Sequence, residues 1–284
     1  MNFLKLIECP RDAMQGWKKF IPTEKKIKYI NSLLTVGFDT IDFGSFVSAK
    51  AIPQMSDTKA VVSGLDAAAG NTKLLAIIAN LRGGEEASVF DRISYLGFPF
   101  SVSETFQQRN TNSSVEESLN RVEEIQNLCI NKNKKLVIYM SMAFGNPYGD
   151  PYDEDIVFNW VEKLVELDVE IVSLADTVGV ATPEQVYDMT SYLVESLPST
   201  EIGVHLHSTF ENWHEKLDAA VKAGCKRFDG ALKGVGGCPM AGDELVGNMN
   251  TEWMINYFET KGIDLRINKN ALLDSLAIAE EIFV

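Results

Sequence analysis

Eight short, β-rich apolar runs recur along the chain, and a stretch of helical character follows nearly every one of them. The runs are "LKLIEC" (4–9), "TIDFGS" (40–45), "KLLAIIAN" (73–80), "RISYLGFPFS" (92–101), "KLVIYMSMAF" (135–144), "EIVSLADT" (170–177), "EIGVHLHST" (201–209) and "RFDGALKGV" (227–235). Between them, "PTEKKIKYINSLLTVG" places Ile27, Ile30, Leu33 and Leu34 on one face and stops at Gly37. "NSSVEESLNRVEEIQNLCI" opens with serine caps and stripes Val115, Leu119, Val122 and Ile125. "TPEQVYDMTSYLVESL" opens with a capping Thr followed by Pro at the first helical position. "ENWHEKLDAAVKAGC" contains a fourth helix, closed by Gly224.

Strand–helix alternation of this kind, with no Pro/Gly/Ser-rich linker, predicts a (β/α)8 TIM barrel of the α/β class, a fold that takes about 250 residues. A doubly wound open sheet is the other arrangement of such units. No G-x-G-x-x-G opens the first helix, which counts against that nucleotide-binding form. The 284 residues and 45% hydrophobic content suffice for one core, so residues 1–284 are read as one barrel domain. Helices from about residue 252, including "ALLDSLAIAEEIF", are expected to pack on it.

Charge narrows the partners. At −14 the chain is a poor ligand for nucleic acid or for an anionic membrane. No apolar run is long enough for a bilayer, and "MNFLKLIECP" lacks a signal-peptide pattern. Cys9, Cys129, Cys225 and Cys238 form no C-x-x-C pair, and the expectation is free thiols in a reducing cytoplasm.

A barrel gathers the carboxyl ends of its strands at one mouth, where active sites lie. The polar departures from the apolar runs fall at those ends: "ECPRDAMQG", "LADTVG", "HLHST" and "KGVGGCPMAGDELVGN". His205 and His207 are two residues apart on a strand and share a face. Two neutral imidazoles there make either a metal site or a hydrogen-bonded core pair. Arg11 and Asp12 form either a structural ion pair or, if the strand ends at Pro10, an anion contact and a metal ligand. Cys238 sits among glycines, which points to a mobile lid or a close backbone approach. Its thiol is then a proton donor, a nucleophile or a packed small hydrophobe. Asp176 has a turn role competing with support of a metal site. "NPYGDPYDED" (146–155) reads as a turn that starts a helix. Cys9, Cys129 and Cys225 read as packing residues, and His214 as part of a solvated helix face.

Several of these stretches together resemble the 3-hydroxy-3-methylglutaryl-coenzyme A lyase family, metal-dependent TIM-barrel enzymes. The resemblance runs over nearly the whole chain through "PRDAMQG", "SFVSAKAIPQMSD" (45–57), "SETFQQRNTNSSVEES" (103–118), "LADTVGVATP" (174–183) and "GVGGCPMAG" (234–242). It implies that Asp12, His205, His207 and Asn248 bind one divalent cation, Mg2+ or Mn2+. It implies that Arg11 lies beside the reacting thioester oxygen, that Cys238 transfers a proton, and that Asp42 and Asp176 belong to the catalytic set. It also implies an acyl-CoA substrate and a homodimer; it does not assign the CoA-binding residues, for which the loops near Lys50 and the carboxyl-terminal region are the regions considered. Departures are visible. Ser208 follows His207 where the lyases usually carry Asp, and Asp42 stands where they usually carry Glu. The Cys238–Asn248 loop is one residue longer than usual, which makes Asn250 a rival ligand. A related acyl-CoA lyase, a Claisen-type synthase condensing acetyl-CoA with a 2-oxo acid, and a non-catalytic barrel that binds metal and acyl-CoA are the competing functions. Synthases usually carry a further carboxyl-terminal region and lack the "GGCP" loop, and pure binding needs neither Arg11 nor Cys238.

Overall fold

A computed structural model describes residues 4–66, 70–237 and 246–284. Within them the strands are β1 (Lys5–Glu8), β2 (Thr40–Ser45), β3 (Lys73–Ile77), β4 (Ile93–Ser101), β5 (Lys135–Ser141), β6 (Ile171–Ala175), β7 (Glu201–His205) and β8 (Arg227–Gly230). The helices are α1 (Pro10–Gln15), α2 (Thr23–Leu34), α3 (Thr58–Ser63), α4 (Leu81–Ser88), α5 (Glu104–Thr111), α6 (Val115–Asn131), α7 (Glu154–Glu166), α8 (Pro183–Ser196), α9 (Trp213–Lys222), α10 (Thr251–Thr260) and α11 (Lys269–Ile282). Each strand pairs in parallel with its neighbours in chain order, and β1 also pairs with β8, so the sheet closes into the expected barrel.

Both faces of such a sheet are covered, which is why the strand runs are apolar nearly throughout. All six residues of β2 are buried. The larger core lies between strands and helices and includes Ile41, Phe43, Leu96, Phe98 and Ile138. A separate small cluster of Leu75, Tyr95, Val137, Tyr139 and Ile171 fills part of the barrel interior.

The helix signals hold in detail. Ser114 and Glu117 form a capping box at α6, and Thr182 and Gln185 form another at α8, where Pro183 takes the first turn. Asp153 caps α7, as the acidic turn before it predicted. The terminal helices also form as expected. Helix α11 packs on α2, with Ser32 Oγ 2.7 Å from Ser275 Oγ and the Asn268 N–H bonded to the Val36 carbonyl. Among the described residues no helix is long and apolar enough to cross a membrane.

The strands end earlier than the apolar runs do, and this corrects the placement of His207 within a strand. Arg11 and Asp12 follow the alternative in which the strand has ended by Pro10. Pro10 has no N–H to extend the ladder, so it begins α1 and carries both side chains over the mouth. His207 lies two residues past the end of β7, in an isolated antiparallel bridge to Asn248. The chain stays extended there because the bridge, not a neighbouring parallel strand, holds it.

Candidate active site at the barrel mouth

Register brings the imidazoles to their partners. His205 is the Cα partner of Ala175 on β6 and of Asp229 on β8. Its Nδ1 lies 3.3 Å from Asp229 Oδ2. Burial alone would lower its pKa, but the Asp229 hydrogen bond and charge raise it instead. His207 Nδ1–H donates to the Thr177 carbonyl at 3.1 Å, which leaves Nε2 with a free lone pair. Burial, reinforced by the neighbouring His205, pushes His207 down to about 4, so it is neutral at physiological pH. The two rings are 5.3 Å apart despite the strand ending between them.

Asp12 completes this group: one ligand atom from each of Asp12, His205 and His207 lies within 4.8 Å of the others, and all three residues are buried. Burial would raise the Asp12 carboxyl, but Arg11 and the two imidazoles lower it to about 2. Asn248 leans on the same carboxylate, its Nδ2–H donating to Asp12 Oδ2 at 2.8 Å and to the Val235 carbonyl at 2.9 Å. Its Oδ1 is then buried with no hydrogen-bond partner, as is His207 Nε2. A buried unpaired acceptor costs about 1–3 kcal/mol. Two of them beside an ionised carboxylate, with a second imidazole in reach, are the donor set of a mixed N/O metal centre. Asn250, the rival ligand, instead caps α10 by accepting the Trp253 N–H at 2.9 Å.

Arg11 makes the opposite kind of arrangement. Its Nε and Nη2 donate to Asp42 Oδ2 at 2.9 and 2.5 Å, and its Nη1 donates to Asp12 Oδ1 and Gln15 Oε1 at 2.8 and 2.9 Å. Burial opposes the guanidinium charge, but Asp42 and Asp12 outweigh it and hold the pKa above the ordinary range. Burial in turn raises Asp42 to about 6, more than Arg11 lowers it.

The other expected residues divide. Asp176 is buried, but it belongs neither to the Asp12 group nor to the Arg11 cluster. Its Oδ1 accepts the Ala181 N–H at 3.0 Å, the turn role, and its Oδ2 accepts Lys216 Nζ at 2.7 Å. Cys238 lies outside the described residues. The segment just before it reaches the site, with Gly237 N 3.4 Å from Asp12 Oδ2. At Gly236, φ is +110°, and a Cβ would fall 2.4 Å from Asn248 Nδ2, so only glycine fits. Ser208 is buried, its Oγ 3.5 Å from Met249 Sδ. Lys50 is exposed, next to a groove of about 420 Å³ lined by Ser45, Phe46, Ser48, Asn80 and Arg82. Cys9, Cys129 and Cys225 are free and buried, and His214 is exposed.

Two residues escaped sequence reasoning. Lys216 is buried and places all three of its N–H bonds, on Asp176, on the Gly179 carbonyl at 3.1 Å and on the His207 carbonyl at 3.0 Å. It thereby ties the backbone of His207 to the loop after β6. Asp229 orients His205 from β8. A polar residue two positions into "RFDG" was the available signal for Asp229; Lys216, among the charged residues of "ENWHEKLD", offered none.

The family model described as HMGL-like matches residues 5–278. The hydroxymethylglutaryl-CoA lyase of Bacillus subtilis is 34% identical over 272 residues, covering 96% of this chain and 90% of its own. The mitochondrial hydroxymethylglutaryl-CoA lyase of Macaca fascicularis is 33% identical, covering 96% and 83%. A human relative of the same activity, 31% identical over 96% of this chain and 74% of its own, is cytoplasmic. Among solved structures, the Bacillus subtilis HMG-CoA lyase superposes with a TM-score of 0.92 at 32% identity, covering 99% of this chain and 94% of that one. An HMG-CoA lyase from Acinetobacter baumannii in complex with coenzyme A and 3-methylmalate gives 0.91 at 32% identity, covering 99% and 91%.

Proposed function

The chain belongs to the HMGL-like family, and on that premise we propose that it is a carbon–carbon lyase cleaving 3-hydroxy-3-methylglutaryl-CoA to acetyl-CoA and acetoacetate. The observation that carries this reading is the pairing at the mouth of two unlike devices: unpaired acceptors beside Asp12, and a guanidinium held fast next to them.

Asp12, His205, His207 and Asn248 would hold one divalent cation. A donor set of one carboxylate, one amide oxygen and two imidazoles, without thiolate, suits Mg2+ or Mn2+. When bound, the cation supplies Lewis acidity that makes the substrate's tertiary hydroxyl easier to deprotonate. The remaining steps belong to the chain's own side chains. As the carbon–carbon bond breaks, negative charge gathers on the thioester oxygen of the departing acetyl-CoA enolate. Arg11, locked by Asp42, Asp12 and Gln15, presents its positive charge there without having to reorganise. Cys238 would protonate the enolate carbon, the role that the resemblance to the lyases implies for it. Asp176 and Lys216 would position His207 from behind, through the Lys216 bond to the His207 carbonyl. The acyl-CoA substrate class accords with the coenzyme A complex of the Acinetobacter relative. The cytoplasmic placement and the homodimer belong to the same proposal, and light scattering tests the dimer.

Incubation with 3-hydroxy-3-methylglutaryl-CoA and Mn2+ should yield acetoacetate and acetyl-CoA in equal amounts. EDTA should abolish the reaction and excess Mn2+ or Mg2+ restore it. Activity indifferent to chelation would remove the metal from the reading. Condensation of acetyl-CoA with a 2-oxo acid, without cleavage, would replace the lyase by a synthase.

A further inference from the structure

A second cluster lies against the first. Cys9, His205 and Asp229 each offer one ligand atom, these atoms lie within 4.8 Å of one another, and all three residues are buried. The topology builds it. Cys9 follows the last residue of β1, and its N–H bonds the Gly230 carbonyl at 2.8 Å. Asp229 pairs in register with Ile7 on one side and His205 on the other. Cys9 carries a free thiol. One oxygen of Asp229 faces His205 Nδ1, and the other, Oδ1, is buried without a hydrogen-bond partner.

Packing explains a buried cysteine on its own. It does not explain an unpartnered carboxylate oxygen held in reach of a thiol and an imidazole nitrogen, because buried polar atoms are nearly always paired. Sulfur, nitrogen and oxygen donors at this separation are the three protein ligands of a tetrahedral site with one open position. We infer that Cys9, His205 and Asp229 form a second metal site, selective for a thiophilic divalent cation such as Zn2+, Cd2+ or Co2+.

The donor chemistry separates the two centres. The mouth group has no sulfur and favours harder cations, whereas the thiolate of the second favours softer ones. They share His205, and this part of the inference rests on the reading of His205 as a ligand at the mouth. With Nδ1 turned to Asp229, Nε2 is the nitrogen left for the group with Asp12 and His207. A neutral imidazole has one lone pair and one N–H. Ligation at Nδ1 moves the ring proton to Nε2, and the Cys9 thiol proton leaves to solvent. The mouth then loses one ligand. Occupation of the two centres is mutually exclusive, so a thiophilic cation acts as an inhibitor that takes a ligand from the metal rather than the place of the substrate.

Cobalt tests this in the metal-free full chain. Titration with Co2+ should produce a near-ultraviolet thiolate-to-cobalt charge-transfer band that saturates at one equivalent and is displaced by Cd2+. The band should vanish in both Cys9→Ser and Cys9→Ala and persist in Cys238→Ser and Asp12→Asn. A wild-type chain without the band, or a band that survives loss of Cys9, overturns the site. Excess Mn2+ should raise the Co2+ midpoint at least tenfold in the wild type and leave it unchanged in Asp12→Asn. Midpoints independent of Mn2+ in a wild type that binds Mn2+ overturn the exclusion. Mn2+ binding that Asp12→Asn leaves intact instead counts against the reading of the mouth, whatever the cobalt band does.

Discussion

The β1 side of the mouth and the β7 side solve burial in contrary ways. On the β1 side Arg11 is paired with Asp42, Asp12 and Gln15, so its charge has nowhere to move, and of the oxygens on those two carboxylates Asp42 Oδ1 alone lacks a partner. On the β7 side His207 Nε2 and Asn248 Oδ1 are buried without partners, while the atoms next to them, His207 Nδ1 and Asn248 Nδ2, are tightly engaged. The first arrangement fixes a charge before it is needed, and fixed charges stabilise a developing anion best. The second fixes the direction of lone pairs and leaves them open, as a ligand shell requires. A protein that only needed stability would have paired the lone pairs of the β7 side as well.

The largest effect should come from breaking the closed side. Arg11→Ala is expected to lower kcat by about 10³-fold, the scale of losing one preorganised donor to a developing oxyanion. Mn2+ affinity, read by calorimetry, should change by less than about tenfold. If affinity falls as steeply as turnover, Arg11 serves Asp12 and not the reacting oxygen. Asn248→Ala and Asn250→Ala break the open side unequally. Asn248→Ala should weaken Mn2+ binding by at least about 10–100-fold, since it removes an acceptor and a bond to Asp12. Asn250→Ala should leave affinity alone and cost about 1 kcal/mol of stability, the worth of a helix cap. The reverse order of affinities would transfer the ligand role to Asn250.

Lys216 sharpens the comparison because it supports the open side from behind. Replacing the pair together, as Asp176→Asn with Lys216→Met, avoids leaving one buried charge alone, which would cost about 3–5 kcal/mol. The double variant should still fold and should bind Mn2+ about tenfold more weakly, through loss of the bond to the His207 carbonyl. Wild-type affinity in that variant would reduce Lys216 to a structural tie.

Much of this was legible in the residues and some was not, for physical reasons. Barrel strands buried on both faces announce themselves as apolar runs, so their number and order could be read. Their ends could not. The run through "HLHST" continues past the strand because an antiparallel bridge to Asn248, far along the chain, keeps it extended. Arg11, Asp12, Asp42, His205, His207 and Asn248 do converge: Arg11 and Asp12 follow β1, His205 ends β7 with His207 just past it, Asp42 reaches Arg11 from inside β2, and Asn248 arrives through its bridge to His207. Asp176 looked like a member of that set because it occupies the same kind of position, yet its oxygens turn to Ala181 and Lys216. Lys216 was invisible. Its neighbours are charged, and its burial depends on a carboxylate 40 residues earlier.

A further effect, on stability alone, concerns Glu8, which stands behind the β1 side at the end of β1. Its Oε1 accepts the Leu232 N–H at 2.8 Å and its Oε2 accepts the Thr251 hydroxyl at 2.6 Å, so it ties β1 to the chain after β8 and to α10. Burial outweighs those bonds and raises its pKa from an ordinary 4.5 to about 8. Below pH 4.5 the folded and unfolded chains both hold the proton, and the group is neutral in its effect on pH dependence. Between 4.5 and 8 the unfolded chain releases a proton that the folded chain keeps, so stability falls as pH rises. Above about 8 both are ionised and the loss is complete, on the order of a few kcal/mol. Glu8→Gln keeps the shape: its carbonyl accepts from Leu232, and its amide donates to the Thr251 oxygen. Urea unfolding at pH 6 and pH 9 should therefore show a loss of stability in the wild type that is smaller in Glu8→Gln by about 1–3 kcal/mol, with Mn2+ affinity unchanged. Parallel profiles for the two proteins would mean that Glu8 is already ionised at pH 6 and that the β1 side holds one more fixed negative charge than its geometry implies.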